Sequence, residues 1–242
     1  MATPNHRQEN QRVYILHTYP FKETSLIAEV FTEKFGRIPV VAKGARRPRS
    51  SIRGMLQSFQ VLLANWSGKS ELKSLNGLEW CEKLTILEGD ALMCGFYLNE
   101  LMMRLLPRDE PHPDLFHFYH ETILALSEGH ELTITLRRFE LKLLQALGYA
   151  VTLDHDEDSN PIIPDKIYRY EAEYGACDLT KTDRGIKVLG KTLLDMASDQ
   201  YIDKETQQQS KQLMRYLLGF YLGDKPLHSK QLLSIYKDKI FL

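Results

Sequence analysis

The apolar residues of this chain change their period once, near residue 85, and that change limits the fold more than any motif does. From Gln11 to about Trp80 the pattern is short extended runs separated by turn residues. Val13–Tyr19 is rich in β-branched and aromatic types and stops at Pro20. Thr24–Thr32 sets Leu26, Ala28 and Val30 on one face and Ile27 and Phe31 on the other. Gly36–Ala42 is a third run, in which Pro39 forbids one ladder bond and signals an edge or a bulge. Phe59–Trp66 and Glu71–Leu78 are a fourth and fifth, joined by a hairpin-like turn at Ser67-Gly68-Lys69. Five strands with apolar residues on both faces, and a longer connection after the third, suit a small closed barrel such as the OB-fold; other five-stranded barrels would read similarly.

From about Leu87 the period is helical. Ala91–Leu106 is apolar at most inward and several outward positions, as a buried helix is, and Pro107 ends it. Asp114–Ser127 follows, with Asp114 as the expected N-cap. Leu132, Leu136, Phe139, Leu143 and Leu147 recur at helical spacing, and Gly148 stands where a C-terminal cap belongs. Residues 152–180 are acidic at their start, hold Pro161 and Pro164, and show no clear period. Helical patterns return at Asp183–Ala197, Lys204–Leu222 and Ser229–Tyr236. The expected class is α+β: an OB-fold barrel over residues 1–80, then a helical domain over 81–242 with an irregular segment at 152–180.

With 43% hydrophobic and 26% charged residues, the composition is that of an ordinary globular protein. No apolar run approaches the roughly 18 residues that a spanning helix needs, and no membrane role is expected. The first twelve residues show no secretory signal. Three cysteines, Cys81, Cys94 and Cys177, without CxxC spacing argue against a disulfide framework or a four-thiolate zinc site and fit a reducing cytoplasm.

Several motif fragments lack the context their chemistry requires. Gly68-Lys69-Ser70 resembles the end of a phosphate-binding P-loop, but position 63, where the motif needs glycine, is Leu63. His112, His117 and His120 with Glu121 invite a metal reading, yet His117 and His120 are three apart and not the four of a zincin helix. Asp154, Asp156 and Asp158 begin like a calcium loop, but its sixth position is Ser159 and its twelfth Asp165. No nucleophile elbow or dinucleotide fingerprint is present. No catalytic residue, metal ligand set or cofactor is therefore expected, and the protein is read as a non-enzyme.

A net charge of −1 conceals a division along the chain. Residues 1–80 hold 12 Lys and Arg against 6 Asp and Glu, while the remainder holds 19 against 26. Arg37, Lys43, Arg46, Arg47, Arg49 and Arg53 form a run with no acid among them. On a loop and strand of a barrel this is an anion-binding signature, with oligonucleotide phosphate as the expected anion. Phe35, Tyr14, Phe59 and Trp66 lie nearby in sequence as candidates for base stacking, though some must fill the barrel. Six phosphate contacts would give a log–log salt slope of about −4 on a single strand.

The residues also carry a family resemblance. Tyr14-Ile15-Leu16-His17, Glu23-Thr24-Ser25-Leu26, the run from Phe31 to Arg37 and the run from Ala42 to Arg46 resemble the N-terminal domain of the bacterial RecO family of DNA repair proteins. Gly54–Phe59, Tyr97–Leu101, Pro113–Phe116, Leu136–Leu141, Leu147–Tyr149 and Lys225–Leu232 are similar to later motifs of that family, in order over roughly residues 11–235. The resemblance implies an OB-fold followed by a helical domain. It also implies a recombination mediator that binds single- and double-stranded DNA, anneals complementary strands and works in the cytoplasm without ATP hydrolysis. Its partners would be RecR, RecF, the RecA recombinase, and the C-terminal tail of single-stranded DNA-binding protein.

From the acid-free run and the rings beside it, Arg37, Lys43, Arg46, Arg47, Arg49, Arg53 and Phe35 are the expected DNA-binding residues. On the resemblance, Arg137 and Arg138 are expected to hold the acidic tail, because guanidinium groups suit carboxylates. Many relatives carry a four-cysteine zinc ribbon where this chain has only Cys177, so no structural zinc is expected. The rival reading is a non-catalytic interaction module whose basic loop docks an acidic protein; a second is a hydrolase built on the His112–Glu121 cluster.

Overall fold

The computed structural model describes residues 7–82, 85–149, 151–223 and 226–229. Five strands, β1 (Arg7–Phe21), β2 (Ser25–Thr32), β3 (Gly36–Ala42), β4 (Leu62–Ser67) and β5 (Lys73–Trp80), close into a barrel in the order β1-β2-β3-β5-β4. All pairings are antiparallel except the short parallel seam of β3 with β5, which joins Val40 to Lys73 and Val41 to Ser74. Pro39 stands just outside that seam, where its missing N–H costs no ladder bond to β5.

The inner face is the period-2 set: Val13, Ile15, Ala28, Val30, Ile38, Val40, Leu62, Ala64, Trp66 and Leu78 are all buried in one cluster. The opposite face of β1 and β2 is apolar because helices cover it. Helix α1 (Gly89–Leu105) and helix α2 (Pro113–Ser127) pack on the barrel. Tyr14 and Phe31 meet Phe116 at ring-centroid distances of 5.6 and 5.5 Å. Asn99 of α1 donates to the Leu16 carbonyl and accepts from the Tyr119 hydroxyl, so the buried amide is satisfied on both sides.

Two compact units result, residues 1–129 and 130–242. The last barrel strand ends at Trp80 and the first helix begins at Gly89, while compactness places the division of the chain after Gly129 because α1 and α2 pack with the strands. In α2 the capping residue is His112, not Asp114; Pro113 takes the first helical position and Asp114 lies in the first turn, near the positive helix end. Gly36, at φ +68°, could not be replaced: a Cβ there would lie 1.9 Å from the Glu110 carbonyl oxygen.

The second unit begins with α3 (Leu132–Ala146), closed by Gly148 at φ +77° with the Tyr149 N–H on the Leu144 carbonyl. The segment expected to be irregular instead contributes β6 (Ile167–Glu171) and β7 (Gly175–Cys177), which form an antiparallel sheet with β8 (Ile186–Leu189) in the order β7-β6-β8. The helix expected over 183–197 is half strand: β8 precedes α4 (Gly190–Ala197). Helix α5 (Lys204–Leu222) starts at Asp203, whose carboxylate accepts the Thr206 N–H. The helix expected at 229–236 lies, beyond Ser229, outside the described residues.

Candidate nucleic-acid interface

The connection from β3 to β4 is a string of tight turns. Arg47 N–H bonds the Gly44 carbonyl, Ser50 N–H the Arg47 carbonyl, and Met55 N–H the Ile52 carbonyl, at 3.0 to 3.1 Å. Its apolar residues face down: Ala45 is fully buried, and Ile52, Met55 and Leu56 pack against the barrel core. Its cations therefore face out, and Lys43, Arg46, Arg47, Arg49 and Arg53 are all exposed. The Arg46 N–H on the Thr24 carbonyl, at 2.9 Å, ties the loop to the β1–β2 hairpin tip.

None of these five cations forms an ion pair among the described residues, and Arg46 alone has a side-chain hydrogen bond, a long one to the Lys22 carbonyl. Elsewhere in the first unit Arg7, Arg12, Lys73 and Arg108 each face a carboxylate. A cleft of about 530 Å³ separates the loop from residues Leu75, Asn76 and Gly77 of β5.

Arg37 does not join this face. Its Nε and Nη2 donate to the Leu106 carbonyl at 3.0 and 2.8 Å, and Nη1 donates to Glu29 Oε2 at 2.9 Å. Its side chain is 12% exposed, so a phosphate would have to displace internal partners. The rings are also elsewhere. Tyr14, Phe59 and Trp66 are buried, and half-buried Phe35 meets Trp66 edge-on at 5.4 Å, inside the barrel rather than on the basic face. The sequence reading missed Lys22, exposed at the hairpin tip with its ammonium 5.4 Å from the Phe21 ring; only the contact with Arg46 reveals it.

In the second unit Arg137 and Arg138 are placed differently from each other. Arg137 is buried, with Nη2 on Glu140 Oε1 at 2.6 Å, while exposed Arg138 pairs with Asp199 at 2.6 Å and lies 6.0 Å from the Tyr201 ring. The Arg137 Nε and the Tyr201 hydroxyl are buried donors without a hydrogen-bond partner among the described residues. Burial holds the Tyr201 phenol up to about 12 despite the neighbouring guanidinium groups. Lys211 and Arg215 on α5 complete a cationic group: burial and the charges of Arg137 and Arg215 lower the Lys211 ammonium below its ordinary range. Neither residue was singled out in the sequence, because the link to Arg137 runs between helices.

The histidines are dispersed among separate partners. His120 Nδ1 is 2.7 Å from the Tyr14 hydroxyl, His117 faces Glu33 and His112 faces Glu110. Among the described residues, no group of three or more His, Cys, Asp or Glu could hold a metal ion, and no helix is long and apolar enough to cross a membrane.

Comparison with known proteins gives this geometry its family. The family described as Recombination protein O N terminal matches residues 6–84, and that described as Recombination protein O C terminal matches residues 87–231. The chain belongs to the RecO family. The DNA repair protein RecO of Nitrosospira multiformis is 51% identical over 98% of this chain and the whole of its own length. Those of Aromatoleum aromaticum and Dechloromonas aromatica are 48% and 46% identical, over 94% and 93% of this chain and 96% and 94% of theirs. The chain is thus a RecO-family DNA repair protein with an OB-fold barrel followed by helices. In the segment that holds Cys177, Lys181 pairs with Glu157 at 3.0 Å and with Asp158, and Lys166 pairs with Asp178 at 2.8 Å. Burial pushes the Cys177 thiol up to about 12, with Glu157 adding to the shift, which suits an inert core residue better than a ligand.

Proposed function

We propose that this protein binds single- and double-stranded DNA through the turn-rich loop from Lys43 to Arg53, anneals complementary strands, and helps load RecA onto strands coated by single-stranded DNA-binding protein. The observation that carries the reading is the set of five exposed cations without acid partners, held on a loop whose apolar side is anchored to the barrel. With Arg37 committed elsewhere, five phosphate contacts give a salt slope of about −3.5 on a single strand. Phosphates neutralised on one surface let two strands approach within the screening length of about 8 Å at physiological salt. Contacts of this kind carry no sequence information, so any complementary pair is served.

The coating protein's acidic tail is assigned to the second unit. Arg137, Arg138, Lys211 and Arg215 offer charge, and the Arg137 Nε and Tyr201 hydroxyl offer buried donors that a carboxylate would satisfy. RecR, and RecF and RecA with it, are the further partners of this reading, which needs no nucleotide hydrolysis and no catalytic residue and belongs in the cytoplasm.

The test is annealing of two complementary labelled oligonucleotides, each coated with cognate single-stranded DNA-binding protein, without nucleotide. Acceleration by the protein is the expected result. No acceleration, with no binding to bare strands at low salt, would remove nucleic acid as the target and leave an acidic protein as the partner of the basic loop.

A further inference from the structure

We infer that the cleft between the basic loop and β5 holds one unpaired nucleotide of the bound strand, which makes this face selective for single strands over duplex. The inference rests on the nucleic-acid reading of the loop and adds a specific receptor to it. The cleft, about 530 Å³, falls within the range of about 300–1,000 Å³ that accommodates a ligand of nucleotide size. Its walls differ in chemistry. Lys43, Arg47 and Arg49 line one side; Ile52 and Leu75 give apolar contact for the flat faces of a base.

The far wall can read a base edge. β3 pairs with β5 only as far as Ser74, so from Leu75 onward this edge of β5 has no strand beside it among the described residues. Backbone N–H and C=O groups on such an edge are open to a partner. Asn76 is exposed there, and its Nδ2 donates to Ser67 Oγ at 2.9 Å, which leaves the amide oxygen as an acceptor. Arg46 and Arg53 lie on the same loop but do not line the cleft, so the charge extends beyond it. That extension fits a strand whose neighbouring phosphates are also held, and not a free mononucleotide. A paired base is already inside its stack, and extruding it means breaking that stacking and pairing, so the cleft rewards only a nucleotide that is unpaired.

The experiment uses the full chain, an oligonucleotide carrying one 2-aminopurine, and the same strand annealed to its complement. Binding should change the fluorescence of the single strand and leave that of the duplex unaltered. The paired substitution S51L/N76L fills the cleft without adding a ring or a charge, at two exposed positions. It should abolish the signal and weaken single-strand binding about five- to tenfold, with duplex affinity and the salt slope unchanged. N76A alone, which keeps the cleft open but removes the amide, should give a smaller loss in the same direction. An S51L/N76L variant with the wild-type signal and the wild-type ratio of single-strand to duplex affinity would overturn the cleft while leaving the loop as the DNA site. A wild-type protein that binds neither substrate at low salt would overturn the nucleic-acid reading itself, and the cleft with it.

Discussion

Arg37 Nη1 donates to Glu29 Oε2 at 2.9 Å, and the Glu29 side chain is 1% exposed. Arg108 reaches the other carboxylate oxygen, so a buried anion on β2 is held between a cation on β3 and one on the turn after α1. Breaking one arm leaves Glu29 under-compensated in a low-dielectric setting. Arg37→Ala should therefore cost about 3 kcal/mol in urea unfolding. The salt slope for DNA binding should stay at its wild-type value, which separates a strut from a phosphate ligand.

The exposed cations should behave in the opposite way. Replacing Arg46, Arg47 and Arg49 together by Ala removes three phosphate contacts and should lower the single-strand salt slope by about 2. Unfolding should move by no more than about 0.5 kcal/mol per site, as for surface positions without ion-pair partners. Filter binding at several salt concentrations and urea melts on the same preparations give both numbers.

Alkaline titration probes the packing of α2 on the barrel. Burial, with the Glu82 carboxylate second, holds the Tyr14 phenol well above the ordinary tyrosine range, and burial does the same to Tyr119. An unfolded tyrosine ionises near pH 10, whereas these stay neutral in the fold, so their contribution is complete below about pH 10. Above it the unfolded state gains tyrosinate, and stability falls by about 1.4 kcal/mol per pH unit for each phenol. Tyr14→Phe should make the loss between pH 10 and 12 shallower by one such increment, read from urea midpoints.

In the second unit the clean probes are on α5. Arg137→Ala would take from buried Glu140 the guanidinium 2.6 Å away, so a loss of binding there would be mixed with a loss of stability. Lys211→Ala and Arg215→Ala should each weaken an acidic peptide with a free C-terminal carboxylate by about tenfold, measured by fluorescence anisotropy. Unchanged affinity in both would move the tail to another surface.

The barrel was legible because its strands alternate, and alternation is local. What alternation leaves open is which outward positions are covered, and that explains the errors. Arg37 reads like the other cations of its run until Leu106, 69 residues away, supplies a carbonyl for it. Phe35 and Trp66 read equally as stacking rings or as barrel filling until the barrel closes on them. β6, β7 and β8 have five, three and four residues, too short for a period to emerge between Pro161 and Gly190. The basic loop was legible as charge but not as a receptor, since its cleft needs Leu75 and Asn76 from another strand.

The seam of β3 and β5, two residue pairs wide, also decides where the ring opens. β1, β2 and β3 form a meander from neighbouring segments, whereas the seam must wait for Lys73 and Ser74, more than thirty residues after Val41. The other closure of the ring, β1 with β4, joins residues still farther apart in sequence, such as Val13 and Leu62, but through five registered pairs, so the two-pair seam is the weaker join. It is therefore where the ring parts first, and of the Val40 and Val41 amides the one that faces β5 is the one that native-state hydrogen exchange should find least protected along β3, since alternate amides face β2.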